Sequence, residues 1–229
     1  MQPDYSATAQ TAVLADTRHR VLRNTYWLLA LTLIPTAIGA MIGINLNFGF
    51  LRTNPIIATI AIIGIFYGWI YAIERNRESG LGVGLLLGFT LFMGVILGPL
   101  LQVALHLKNG GNLVGLAAGG TAVTFFALAA VATTSKRDFS FLGNFLLVGV
   151  IVVMLAVVAN IFLASPLLQL VVCGAFVLLS SMLILYHLNA VVRGGETNYI
   201  SATLSIYIAV YNLFSSLLQI LMAISGQRD

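Results

Sequence analysis

The chain has 229 residues, of which 59% are hydrophobic and only 8% charged, and its formal net charge is +4. A soluble domain carries about 25% charged residues, so this composition excludes a soluble fold. The single cysteine, Cys173, excludes an intrachain disulfide and a cysteine-based metal site.

Charged residues divide the chain into six uncharged stretches of at least 21 residues. A helix needs about 20 apolar residues to cross a bilayer, so the 54-residue stretch 139–192 is long enough for two spans. Ser165 and Pro166 divide that stretch, because proline cannot continue a preceding helix. We therefore predict an all-α integral membrane protein with seven transmembrane helices. Its spans are 24–45, 55–73, 81–104, 113–133, 141–163, 166–187 and 203–224.

Residues 1–23 form a polar N-terminal tail, and residues 24–229 form one seven-helix transmembrane domain. The apolar stretch after the tail is longer than a signal-peptide core of about 7–15 residues, so it indicates an uncleaved signal-anchor. We expect the polar tail to be disordered.

Basic residues are distributed unequally between the two sets of loops. Eight of the eleven lie in the tail and in the loops after spans two, four and six, whereas Arg52, Lys108 and Arg228 lie on the other side. Because cytoplasmic loops are enriched in lysine and arginine, we expect a cytoplasmic N-terminus and a C-terminus on the outer side. The positive charge is thus a topology signal and gives no reason to expect nucleic-acid binding.

Glycines recur at helix-packing intervals in the third and fourth spans. Such glycines let backbones approach closely, and we expect them to pack within the monomer rather than in a dimer interface. Pro99 should kink the third span near its outer end. The glycines are Gly80, Gly84, Gly88, Gly94 and Gly98 in the third span and Gly115 and Gly119 in the fourth.

The spans contain no carboxylate, because all seven acidic residues lie in tails or loops. Pumps and coupled transporters commonly use buried acids for proton relay or ion coordination. The sequence also lacks a nucleophile triad, a phosphate-binding loop and metal-ligand spacing. We therefore predict a non-enzymatic protein without a cofactor or a bound metal.

His187, at the inner end of the sixth span, is the candidate pH sensor. It lies beside Tyr186 and two residues before Asn189. Its imidazole is the side chain that changes charge near neutral pH. The alternative is an interfacial histidine whose ring is satisfied by water or by a backbone carbonyl.

The seventh span has one polar face, because polar residues recur there at intervals of seven, four and three, with Ala209 between them. This face should turn away from lipid. It either lines a polar cavity or forms interhelical hydrogen bonds that hold the bundle together. Its residues are Ser205, Asn212, Ser216 and Gln219.

Five sequence runs resemble the YccA-like bacterial branch of the Bax inhibitor-1 family. They are VLRNTY at 21–26, GGTA at 119–122, KRDFSFLG at 136–143, VANIFL at 158–163 and GGETNYISAT at 194–203. The last is the most specific, and its motif loop contains Gly194, Gly195, Glu196, Asn198 and Tyr199. The resemblance implies a central helix wrapped by the others and a place in the inner membrane of a bacterium. The distribution of basic residues then predicts a periplasmic C-terminus.

The resemblance implies two activities, each reported for a different branch. One is a pH-sensitive calcium leak that needs an acidic pair, whose positions here hold His187 and Ala209. The oxygen ligands that calcium requires are missing, so a calcium dyad is not expected. A pH-sensitive cation or proton leak through His187 and the polar face remains the alternative hypothesis.

The other implied activity is our leading hypothesis. It is that of a substrate and modulator of FtsH, a membrane-bound, ATP-dependent protease that engages a cytoplasmic N-terminal tail. This role needs no buried acid, and residues 1–23 are a tail of a suitable kind. A purely structural scaffold is a third possibility. The sequence does not indicate the oligomeric state, and the expected partners are the lipid bilayer and FtsH.

Overall fold

The computed structural model describes the backbone of residues 5–49, 53, 55–135 and 137–226, and their side chains except those of 5–17 and 55–56. Within these ranges the chain is helical and contains no strand. The helices are α1 (Tyr5–Asn45), α2 (Pro55–Arg75), α3 (Gly80–Ile96), α4 (Gly98–His106), α5 (Gly110–Thr134), α6 (Leu142–Leu163), α7 (Pro166–Arg193) and α8 (Tyr199–Ser225).

The predicted seven-span architecture is confirmed. In the part of the chain that the structure describes, seven helical segments are long and apolar enough to cross a membrane. Helices α3 and α4 form one of these segments, interrupted at Leu97. The predicted kink lies there, because Pro99 occupies the first turn of α4, where its missing N–H leaves no hydrogen bond unmade. The predicted break between spans five and six is also present, and the Ser165 hydroxyl caps α7.

Helix α1 begins much earlier than the sequence analysis predicts. It starts at Tyr5, so the expectation of a disordered tail is wrong for residues 5–23. This segment has no glycine or proline and several alanines, a composition that favours helix. At 1.5 Å per residue, the 41-residue helix is about 60 Å long, twice the thickness of the hydrocarbon core.

Two other predicted boundaries are corrected on the same side of the bundle. Helix α7 continues to Arg193 instead of 187, and α8 begins at Tyr199 instead of 203. The sequence analysis ended both spans near the first charged or turn-forming residues, whereas helices continue past the hydrocarbon into the polar interface. Residues 1–4, Arg52, Lys136 and Arg228 lie outside the described residues.

Helix α8 lies at the centre of the bundle, as the family resemblance implies. It contacts every other helix except α6, and eleven of its residues are buried. Helix α6 lies at the periphery, where it contacts only α7. The main hydrophobic cluster accordingly forms around α8 and includes Phe89, Ile184, Tyr207 and Leu213.

Helices α1 and α3 cross with their backbones in direct contact. A Cβ at Gly39 or Gly43 would overlap the backbone of α3, and a Cβ at Gly94 or Gly98 would overlap the backbone of α1. Helix α1 and the span formed by α3 and α4 thus each present two glycines four residues apart, the arrangement that permits close helix crossing. The predicted packing role of Gly94 and Gly98 is confirmed.

The same prediction is wrong for four other glycines. No atom lies within 4 Å of the position that a Cβ would take at Gly80, Gly84, Gly115 or Gly119. A spacing of four residues marks one face of a helix but does not specify what covers that face. Here the face is turned outward. Gly88 is intermediate, because an added Cβ would lie 3.1 Å from the Trp69 indole.

Candidate functional site

The N-terminal face of the bundle, defined as the end that holds segments 76–79, 135–141 and 194–198, is linked by side-chain hydrogen bonds. The Asn198 side-chain amide donates to the Arg77 carbonyl at 2.8 Å. The Ser201 hydroxyl donates to the Glu74 carboxylate at 2.9 Å. These two bonds link the loop after α2 to the start of the central helix.

Asn189 holds the loop between α5 and α6. It is buried near the end of α7, accepts a hydrogen bond from the Phe139 amide at 3.1 Å and donates to the Arg137 carbonyl at 3.4 Å. Within this loop the Ser140 hydroxyl and amide both donate to Asp138, and they hold the pKa of that carboxyl below its ordinary value. The loop thus has a defined shape.

The motif loop 194–198 makes a tight reversal between α7 and α8. Gly194 ends α7 with a φ of +78°, a conformation that favours glycine. The Glu196 carboxylate accepts from the Asn198 amide at 2.8 Å. The Asn198 side chain in turn caps α8 by accepting from the amides of Ile200 and Ser201. The motif residues therefore set the geometry of the turn.

Helix α1 packs against this turn through a small contact that we call the α1 seat. It consists of Val21 in α1, Val191 in α7 and Ala202 in α8, all buried, and of the Arg18 side chain lying over Gly194. The Arg18 Nε lies 2.6 Å from the position that a Cβ would take at Gly194. The positive φ favours glycine there, and an added side chain would displace Arg18 from this position. Leu22 and Tyr199 pack around the buried residues.

His187 lies near the N-terminal face but outside these links. It is half-buried, and its ring meets the Tyr186 ring edge-on with centroids 5.2 Å apart. The Glu196 carboxylate is close enough to interact with it electrostatically. Among the described residues, no group of three or more histidine, cysteine or acidic side chains is placed to hold a metal.

The residues of the predicted polar face of α8 differ in burial and in their partners. Ser216 is buried, whereas Ser205 and Asn212 are only partly buried. Gln219 lies near the opposite face of the bundle, where it accepts a hydrogen bond from the Gln169 amide at 2.9 Å. This position matches the interhelical hydrogen bonding that the sequence analysis gave as one of two alternatives.

Two open clefts lie beside α1, one at its C-terminal end and one near its middle. One has a volume of about 710 Å³ and is lined in part by Gln102 and His106. The other has a volume of about 580 Å³ and is lined by side chains near the N-terminal face, including His19, Arg23 and Tyr26. Neither cleft is lined by His187 or by the predicted polar face.

The sequence analysis missed a hydroxyl contact that joins three helices. The Tyr207 hydroxyl lies 2.9 Å from the Thr36 hydroxyl and 3.4 Å from the Thr90 carbonyl, so it connects α8 with α1 and α3. A signal was present, since residues with hydroxyl groups recur in α8 at intervals of four. They are Tyr199, Thr203, Tyr207, Tyr211 and Ser215.

The chain matches, over residues 18–227, the family model described as inhibitor of apoptosis-promoting Bax1. It is 43% identical over 217 residues to the Modulator of FtsH protease YccA of Escherichia coli K12, which covers 94% of each chain. It is 43% identical to an uncharacterised protein of Neisseria meningitidis over 99% of this chain and 100% of the relative. An uncharacterised Pseudomonas aeruginosa protein is 41% identical over 91% of each chain. With its seven spans and central helix, the chain belongs to the Bax inhibitor-1 family, in its YccA-like branch.

Proposed function

We propose that this chain is a non-enzymatic inner-membrane protein that is both a substrate and a modulator of the membrane-bound protease FtsH. The observation that carries the proposal is the length of α1, which extends about 60 Å, far beyond the hydrocarbon core. The printed name of the Escherichia coli relative, a modulator of FtsH, supports the same role.

The extension of α1 is the segment best placed for a protease to engage. Among the described side chains, Val21 is the first of α1 that is buried. An isolated helix of the length of this extension is marginally stable in water and unwinds readily. The other segments on the N-terminal face, 76–79, 135–141 and 194–198, are short and connect two helices each.

We place the N-terminal face in the cytoplasm, because eight of the eleven basic residues belong to it. The C-terminus is then periplasmic, on the side away from a cytoplasmic protease. The chain modulates the protease by occupying it. While FtsH extracts this chain slowly, it degrades other membrane substrates more slowly.

Deletion of residues 2–16 tests the proposal, because it leaves Arg18, Arg20 and Arg23 to maintain the orientation. Pulse-chase lifetimes of the full-length and shortened chains are compared in cells with and without active FtsH. The shortened chain should be longer-lived only where the protease is active, and it should slow the turnover of other FtsH substrates. Equal lifetimes in all four conditions would remove the proposal.

A further inference from the structure

We infer that the α1 seat is the first tertiary contact that the protease must break, and that its strength sets the rate at which the chain is extracted from the membrane. The inference rests on the proposed function and concerns the regulation of the same N-terminal segment. It follows from the order in which packed residues occur along α1.

Among the side chains of α1 that the structure describes, those of the seat are the first to lie in a buried cluster when α1 is followed from its N-terminal end. Residues 18–20 are exposed, apart from the position of Arg18 over Gly194, and Val21 follows with only 9% of its surface exposed. The next contact lies one helical turn farther on, where the Thr203 hydroxyl approaches the Thr25 carbonyl at 3.4 Å. Pulling therefore loads the seat before the central cluster.

The seat is small and distinct from the rest of the core. Its buried residues, Val21, Val191 and Ala202, form a cluster separate from the larger cluster around α8. Each comes from a different helix, so lifting α1 separates Val21 from both of its buried partners at once. A small cluster opposes extraction weakly, and a single substitution in it changes that resistance by a large fraction.

The partner surface of the seat is the motif loop. Gly194 leaves room for Arg18, and a side chain there would collide with the guanidinium and would be strained at a φ of +78°. The loop is itself fixed, because Asn198 is bonded both to the start of α8 and to the Arg77 carbonyl. It therefore holds α1 as a rigid support.

A matched pair of valine substitutions distinguishes the effect of the seat on degradation from the effect of the stability of the whole protein. Val21→Ala removes packing from the seat, whereas Val153→Ala removes the same atoms from a similarly buried position in the α6–α7 cluster. Both proteins are placed in proteoliposomes with purified FtsH and ATP. Val21→Ala should be degraded about fivefold faster than the parent, the factor that one average destabilising substitution produces. Val153→Ala should be degraded at the parent's rate, and equal acceleration of the two would overturn the inference.

A cross-link across the seat strengthens the contact that Val21→Ala weakens. In a Cys173→Ala background, Val21→Cys and Val191→Cys are joined by a short, cleavable bismaleimide, and the linked fraction is purified. The linked protein should resist extraction, and cleavage of the linker should restore it. Degradation of linked and cleaved protein at the same rate would contradict the inference.

The two proposals fail in different ways. If deletion of residues 2–16 protects the chain but seat variants and the cross-link leave degradation unchanged, the inference alone is wrong. If the deletion gives no protection either, the N-terminal segment is not the site of engagement and the proposed function fails with it.

Discussion

Helices α1 and α6 are both membrane spans, yet they are held in the protein in opposite ways. Helix α1 contacts α3, α4, α7 and α8, and its Gly39 and Gly43 touch the α3 backbone directly. Helix α6 contacts only α7 and buries just two residues, Leu146 and Val153. It is also the most apolar of the seven spans, so lipid covers most of its surface.

The contrast shows that the most apolar span of this membrane protein is not its central one. The most apolar helix is peripheral, because lipid solvates it well, whereas the central α8 is among the least apolar spans. Packing in the bilayer depends on small residues and hydrogen bonds rather than on hydrophobic burial. Extraction from the N-terminal end therefore meets the small α1 seat first and then the close crossing of α1 with α3.

The orientation of α1 and α6 across the membrane predicts which of two enzyme fusions is active and which is inactive. Alkaline phosphatase fused after Asp229 should be active, and the same enzyme fused at Lys136, before α6, should be inactive, because eight of eleven basic residues lie on the N-terminal side. Fusion activity in intact cells measures this directly. Reversed activities would overturn the orientation, and equal activities would challenge the number of spans.

Substitution of the crossing glycines should have the largest effect on folding. Gly43→Leu or Gly94→Leu places a side chain inside a backbone contact, so we expect a loss of several kcal/mol and little folded protein in the membrane. Gly115→Leu is the matched control, since no atom lies within 4 Å of a Cβ there. Folded yield by size-exclusion chromatography compares them. A folded Gly94→Leu protein would show that α1 is not held by this crossing.

A smaller loss is expected when the buried hydroxyl contact between α8 and α1 is removed. Tyr207→Phe deletes the bond to Thr36 and should lower the free energy of unfolding by about 0.6–1.5 kcal/mol. Tyr67→Phe is the control, because Tyr67 is 62% exposed. Unfolding in a detergent titration measures both. Equal losses in the two variants would remove the argument for this contact.

The spans could be predicted from the sequence, but the helices that each span contacts could not. Charges and Pro166 were enough to place all seven helices, because a charge inside the bilayer is costly and charged residues therefore mark the ends of the spans. These ends can be located along the sequence without knowing the fold. Which face meets protein is a three-dimensional question. Gly94 and Gly115 have the same kind of spacing, but only Gly94 meets another helix, and no local pattern distinguished them.

The candidate site was predicted only in part. The motif loop was recognised from its resemblance to a family, and the structure adds that Gly194 and Asn198 form helix caps that support α1. The docking of Arg18 and Val21 on that loop was not predictable, because it joins residues more than 170 positions apart along the chain. The contact of Tyr207 was overlooked because the sequence analysis looked for small polar side chains along α8. The face of α8 that contains Tyr207 also carries aromatic rings.

The smallest measured effect is expected when the protein is tested for the alternative function, an ion leak. Calcium flux through the purified protein in liposomes should be low, since the one described carboxylate within a spanning helix, Glu74, lies in the last turn of α2. Any pH-dependent conductance should lose its pH dependence in His187→Ala. A flux series across pH tests both statements. A large calcium leak that persists in His187→Ala would favour a channel at another site.

The central claim, that the protease enters at the N-terminal extension, is tested most directly by the order in which the helices are extracted. Two single-cysteine proteins in a Cys173→Ala background carry a dye, one at Glu78→Cys after α2 and one at Phe141→Cys before α6; both positions are exposed. Each is degraded by FtsH in proteoliposomes, and the release of labelled peptide is followed in time. Our account predicts that peptide from position 78 appears before peptide from position 141. Release from position 141 first would contradict it.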